Sequence, residues 1–289
     1  MALTILLVLL GVFGGVFAFI FFKDFFANKK NLGSGSYVKS GALGFVTNFF
    51  DALGIGSFAP TTAGLKLMKQ TEDRLIPGTL NVACTLPVVF MAFVFIRAVE
   101  VDPVTLITMI ASATLGAFLG AGVVAKMPAQ TIRLIIGIAL AFAAFLMLAG
   151  LMGWMPGGGL TTGLTGWRLV VGILGNFVLG ALMTAGVGLY APCMALVYLL
   201  GMSPAVAFPI MMGSCAFLMP VASMRFVKAG TYARIPAIAI TLAGIVGAFI
   251  AASFVSGLPL NPLRWLVIGV LIYTSVTLIV TFLRARKNA

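Results

Sequence analysis

The sequence predicts an all-α integral membrane protein: two homologous transmembrane repeats with broken or re-entrant helices, preceded by an extra N-terminal transmembrane helix. Three observations carry this. Of 289 residues, 62% are hydrophobic and 8% charged, with a mean hydropathy of +1.19; so few charges cannot cover a water-soluble surface. Apolar runs of membrane-spanning length recur along the chain. The heptapeptide Gly54-Ile55-Gly56-Ser57-Phe58-Ala59-Pro60 returns as Gly186-Val187-Gly188-Leu189-Tyr190-Ala191-Pro192, each copy deep in apolar sequence where a helix break is costly.

The first apolar run, Leu3–Phe22, has no basic residue before it and is followed by Lys23, Lys29, Lys30 and Lys39. That is the pattern of an uncleaved anchor with its N-terminus outside, and not of a cleaved leader. Residues 1–40 are read as this anchor and a flexible linker, Asn31-Leu32-Gly33-Ser34-Gly35-Ser36. The first repeat spans 41–152, with runs Ile76–Ile96, Val104–Val124 and Ile132–Met152 after the first break. A Gly-rich loop, 153–167, connects it to the second repeat at 168–284, with runs Leu169–Val187, Val206–Val221, Ile235–Phe254 and Leu266–Leu283.

The repeat extends beyond the heptapeptide. At an offset of 132 Pro77 matches Pro209, and at 133 Pro87 matches Pro220 and Pro103 matches Pro236. At 131 Gly116-Ala117-Phe118 matches Gly247-Ala248-Phe249, Pro128 matches Pro259 and Arg133 matches Arg264. A duplicated helix break is what a transporter of two halves needs, because broken helices expose backbone groups that can hold a solute.

Two topologies fit. If Gly41–Phe58 crosses the membrane, the halves are parallel and Lys66, Lys69, Arg74, Lys126, Arg133 and Arg264 fall outside. If Gly41–Gln70 enters and turns back at the heptapeptide, the halves are inverted. Only Arg97, Arg168 and Arg264 of the basic residues are then outside, with Glu100 and Asp102. The excess of cytoplasmic Lys and Arg in membrane proteins favours the inverted arrangement and a cytoplasmic C-terminus.

With the pattern Gly-x-Gly-x-[Phe/Tyr]-Ala-Pro once per half, each copy followed by a proline-bearing helix, a Gly-Ala-Phe helix and a short Lys126-Met127-Pro128 or Gly257-Leu258-Pro259 segment, the chain resembles the TauE/SafE family of sulfite exporters, also called the toluenesulfonate uptake permease family. The resemblance covers about Gly41 to Leu283 and leaves the anchor helix outside. It implies a permease of the bacterial inner membrane for sulfite, a sulfonate or another small sulfur-containing or carboxylate anion. Its partners would be that anion and the lipid bilayer.

The residues point to an anion on their own terms. A helix restarting at Pro60 or Pro192 has N–H groups without intrahelical partners and a positive dipole end, and glycine lets a solute approach the backbone closely. Candidate binding residues are Gly54, Gly56, Ser57, Pro60, Thr61 and Thr62 at the first break. Gly186, Gly188, Tyr190 and Pro192 stand at the second, with Asn81 and Ser214 on the helices that follow. The competing reading is that the glycines only allow close helix packing. For Cys84 and Cys215, near Asn81 and Ser214, packing as small apolar residues is the better reading.

Asp51 is the one carboxylate expected at membrane depth, three residues after Asn48 and so on the same helix face. Such a group is costly and a functional candidate. It is read either as the site of a coupling proton or sodium ion, with Asn48, or as a cap on exposed backbone amides. Its second-half counterpart is Met183.

The formal charge of +12 comes from clusters beside apolar runs, which speaks against nucleic acid. Three cysteines without a CxxC spacing speak against a disulfide framework or zinc site, and no cofactor is expected. A membrane-embedded enzyme lacks a visible catalytic set: there is no histidine and no clustered carboxylate pair. A non-transporting assembly subunit would not need the duplicated break.

Overall fold

The computed structural model describes residues 2–124, 129–154, 159–183, 189–257 and 259–287, with backbone alone at 59, 73, 120–124, 129, 131–133, 135, 136, 139, 260, 263, 286 and 287. These residues form eleven α-helices: α1 (Ala2–Ala27), α2 (Tyr37–Ala52), α3 (Phe58–Leu67), α4 (Ile76–Ala98), α5 (Pro103–Val124), α6 (Ala129–Leu151), α7 (Gly166–Met183), α8 (Tyr190–Leu199), α9 (Pro204–Ala229), α10 (Arg234–Ser256) and α11 (Leu260–Lys287). Among the described residues six helices are long and apolar enough to cross a membrane: α1, α4, α7, α9, α10 and the Arg264–Ala285 stretch of α11. The all-helical membrane class expected from the sequence holds. The Lys126-Met127-Pro128 segment and Leu258 lie outside the described residues.

The chain forms two compact units, and each draws on both sequence halves. The first comprises Met1–Arg97 and Cys215–Ser256, the second Ala98–Ser214 and Gly257–Ala289. In the first unit α2 lies along α10 with almost no side chain between them. A Cβ at Gly44 would stand 2.5 Å from Ile240 Cα, and one at Gly247 would stand 2.2 Å from the Phe45 carbonyl oxygen. In the second unit α5 and α7 make the corresponding contact. A Cβ at Gly116 would stand 1.9 Å from the Phe177 carbonyl oxygen, and one at Gly180 would stand 2.0 Å from that of Ala113. Gly116 and Gly247, like Phe45 and Phe177, are partners in the sequence register. Small residues are what lipid-embedded helices need here: with no hydrophobic force between them, close backbone approach supplies the attraction. In the same unit α6 packs on α11, where Ser275 Oγ donates to the Gly137 carbonyl at 2.7 Å.

α2 and α3 form a helical hairpin. Ser36 caps α2, its side chain accepting from the Lys39 amide. At the other end Gly54, at φ 91°, closes α2 in a Schellman motif: its amide donates to the Asp51 carbonyl at 2.8 Å, and the Ile55 amide donates to that of Phe50 at 3.3 Å. Gly56, at φ 90°, completes the reversal. α3 then runs back, so that Thr61 Oγ1 donates to Thr47 Oγ1 at 2.9 Å. It ends in a similar motif around Lys69, the only described non-glycine residue at positive φ (51°). Gln70 Oε1 finally accepts the Ser36 amide at 2.7 Å, so the two ends of the hairpin meet.

α7 and α8 behave alike. α8 closes at Gly201, φ 90°, with the Gly201 amide on the Tyr198 carbonyl at 2.9 Å and the Met202 amide on that of Val197 at 3.1 Å. Thr161, just before α7, donates its hydroxyl to the Gly201 carbonyl at 2.9 Å and accepts the Ser203 amide at 2.9 Å. The end of α8 thus returns to the start of α7.

The anchor helix α1 buries a stripe of Leu6, Leu10, Gly14, Phe17 and Phe21, at helical spacing, in the first unit. Phe13 meets Phe217 of α9 with ring centroids 5.8 Å apart. Gly14 lies against Val89 of α4. Ile5, Val8, Val12, Val16 and Phe19 are exposed, as a lipid-facing side requires. At its C-terminal end Asp24 accepts from Arg234 Nε at 2.9 Å and from the Tyr232 hydroxyl at 2.5 Å.

Candidate functional site

At the first break the chain must leave one helix and start another inside apolar surroundings, so each freed amide needs a partner. Asp51, 2% exposed, supplies one: its Oδ1 accepts the amide of Ser57, the residue that caps α3. The carboxylate therefore sits on the positive end of α3, where a helix N-terminus favours negative charge. Asn48, one turn earlier and fully buried, donates Nδ2 to the Gly44 carbonyl at 2.9 Å, while its Oδ1 is buried without a donor. Gly244 of α10 leaves room for that amide: a Cβ there would stand 2.6 Å from Asn48 Nδ2. From α4 the Cys84 thiol reaches the side chains of Ser57 and Asn48 and lies close to Asp51.

Of the predicted residues, Asn48, Asp51, Gly54 and Ser57 thus come together at one buried turn, and Gly56 adds the second positive φ. Open space surrounds the Gly56 Cα on the side a Cβ would take. Pro60 lies in the first turn of α3, where its missing amide costs nothing. The hydroxyls of Thr61 and Thr62 are engaged, Thr61 with Thr47 and Thr62 with the Phe58 carbonyl at 2.8 Å. Asn81, on α4, donates to its own helix at the Pro77 carbonyl, 2.9 Å away.

In the second unit Gly186 and Gly188 lie outside the described residues. Tyr190 and Pro192 open α8 and are buried, and Leu189 caps it without a side-chain hydrogen bond. Ser214 donates to the Ile210 carbonyl at 2.7 Å and accepts from Asn176 Nδ2 at 3.2 Å. Asn176, on α7, was not singled out by sequence. It is fully buried, also donates to the Met109 carbonyl at 2.7 Å, and keeps Oδ1 without a donor. The usable signal was a lone amide inside an apolar run.

Cys84 also needs a second reading. It is buried as expected of a packing residue, but it packs on the polar turn. Cys193 and Cys215 are buried as well.

Long apolar helices together with two hairpins, the first broken at a buried polar turn, define a polytopic membrane protein of the transport class. The chain belongs to the sulfite exporter TauE/SafE family, whose model matches residues 40–278. The comparisons with curated proteins and with solved structures gave no match. Transport is the work of that family, and the match begins within α2, so α1 lies outside it.

Proposed function

We propose that this protein is a permease of the bacterial inner membrane for a small anion: sulfite, a sulfonate, or a related sulfur-containing or carboxylate anion. It carries no catalytic chemistry. The observation that supports this most is the turn Leu53–Ser57. There two positive-φ glycines end one helix and start another in a buried setting, with the start of α3 already holding a carboxylate. A helix start that stabilises the Asp51 carboxylate on the Ser57 amide has the chemistry to stabilise an oxyanion. We read each hairpin as re-entrant, the ends of the first at the cytoplasmic face with Lys66, Lys69 and Arg74, and Arg168 at the start of α7 outside. The internal duplication remains our explanation for the matching helix contacts of the two units.

Efflux of a monoanion from a cell with interior-negative potential is favoured by about 2.3 kcal/mol per 100 mV, so export needs no coupling ion, whereas accumulation does. The test is flux into proteoliposomes holding the purified full-length protein, with sulfite, thiosulfate, alkyl sulfonates and small carboxylates as solutes. Saturable flux of at least one sulfur-containing anion is expected. Protein that is folded and inserted yet moves none of them would overturn the reading and favour an assembly role.

A further inference from the structure

At the start of α3, the place an incoming anion would take is held by the protein's own carboxylate, Asp51, on the Ser57 amide. One turn away on α2, Asn48 Oδ1 is buried with no donor. A buried acceptor left without a donor loses the hydration it would have in water and is costly. Asn48 and Asp51 are three residues apart and share a helix face, and the Cys84 thiol lies against Asn48 and Ser57. A spare acceptor beside a carboxylate is an arrangement short of one proton.

Resting on the permease reading, we propose that Asp51 and Asn48 form a proton site that loads together with the transported anion. A proton adds to an Asp51 carboxylate oxygen and forms one O–H, which donates to Asn48 Oδ1. The neutral carboxyl is then a weak acceptor, so the Ser57 amide turns to the anion. Release of the anion returns the proton, and the carboxylate retakes the amide. One proton moves with one negative charge, so the loaded turn is no more charged than the empty one. The other titratable or charged side chains on the packed elements are Tyr37 and Lys39 on α2, Lys66 on α3, Arg97 on α4 and Arg234 on α10. At 1.5 Å per residue, Lys39, Lys66, Arg97 and Arg234 lie roughly 13–20 Å along their helices from Asp51, Ser57, Cys84 and Gly244, and Tyr37 lies slightly farther.

The experiment is pH-difference infrared spectroscopy on the full-length protein in liposomes without added anion, paired with flux of methanesulfonate, which stays a monoanion, monitored by a trapped pH dye. A carboxylic acid C=O band should appear on acidification, be missing from Asp51→Asn, and move to higher frequency in Asn48→Ala, where the O–H loses its acceptor. Should Asn48→Ala fail to fold, Cys84→Ser in the same cluster must shift the band. No such band in the wild type, or a band that survives Asp51→Asn, overturns the proton site. Methanesulfonate flux without proton movement, equal in Asp51→Asn, also overturns it and leaves the permease standing. An intact band with no flux of any anion instead overturns the permease reading and, with it, the coupled loading.

Discussion

The Ser36 amide and the Gln70 side chain meet at 2.7 Å across 34 residues of chain, and this one bond states that α2 and α3 leave from where they began. Ser40 Oγ adds a second, longer contact to the same Gln70 oxygen at 3.5 Å.

If the hairpin is re-entrant, Lys66 and the loop after α3 share the face of the linker before α2. A cysteine at Lys66, in a protein otherwise free of its three buried cysteines, should then react with impermeant thiol reagents only from the cytoplasmic side. One at Glu100 should react only from outside. The reverse at both positions would restore the parallel arrangement.

Gly56→Val tests the turn itself. At φ 90° with open space around it, the glycine is required for its backbone angles and not for lack of room. A β-branched residue there costs on the order of 1–2 kcal/mol or more in backbone strain. The variant should insert and fold with a lowered unfolding temperature while anion flux is lost. Undiminished flux would show that this turn takes no part in transport.

Lys69 carries the opposite lesson. It occupies a left-handed position, φ 51°, that Gly201 fills at the end of α8. Lys69→Gly relieves roughly 1 kcal/mol of steric cost, partly offset by the greater freedom of glycine in the unfolded chain. A small rise in thermal midpoint is expected. A fall would mean that the lysine side chain holds the corner.

At the α2–α10 contact, Gly247→Ala would drive a methyl to 2.2 Å from a backbone oxygen that cannot rotate away. Overpacking of this kind costs typically 1–3 kcal/mol, so the unfolding midpoint should drop. Gly269→Ala in α11, with nothing within 4 Å, is the control and should be neutral or slightly stabilising. Equal behaviour of the two would argue that the helices separate freely.

The loop residue Tyr232 predicts an alkaline limit. Burial first, then its bond to Asp24 and the charge of that carboxylate, raise its pKa above the ordinary 10, against the pull of Arg234. The folded state thus keeps the phenolic proton longer than the unfolded chain does. The stabilisation is complete below pH 10 and drains away as pH climbs toward the folded value. Tyr232→Phe should be less stable than wild type at neutral pH, with the gap narrowing above pH 10. A constant gap would show that the hydroxyl does not titrate with folding.

Local signals were readable where local physics decides. Apolar length marked the crossing helices, and Gly54 and Gly56 marked the break because few other residues take those angles. The Gly-Ala-Phe pair marked α5 and α10 as alike. What stayed hidden was pairing: nothing near Gly44 announces Ile240, since the contact is between segments almost two hundred positions apart and depends on the absence of side chains. Asn176 was passed over because a single amide in an apolar run has no period to betray it. Asp24 was passed over because, beside Lys23 and Lys29, it looked like an ordinary charge at a helix end. Only the fold brings it to Arg234.

Where two backbones touch as α2 and α10 do at Gly44 and Gly247, no side chain lies between them to absorb a displacement. Asp24 ties the first residue of α10 to α1. The broken turn rides on the other helix of the pair. The anchor helix, α10, α2 and the turn that holds Asp51 therefore form one unbroken run of contacts.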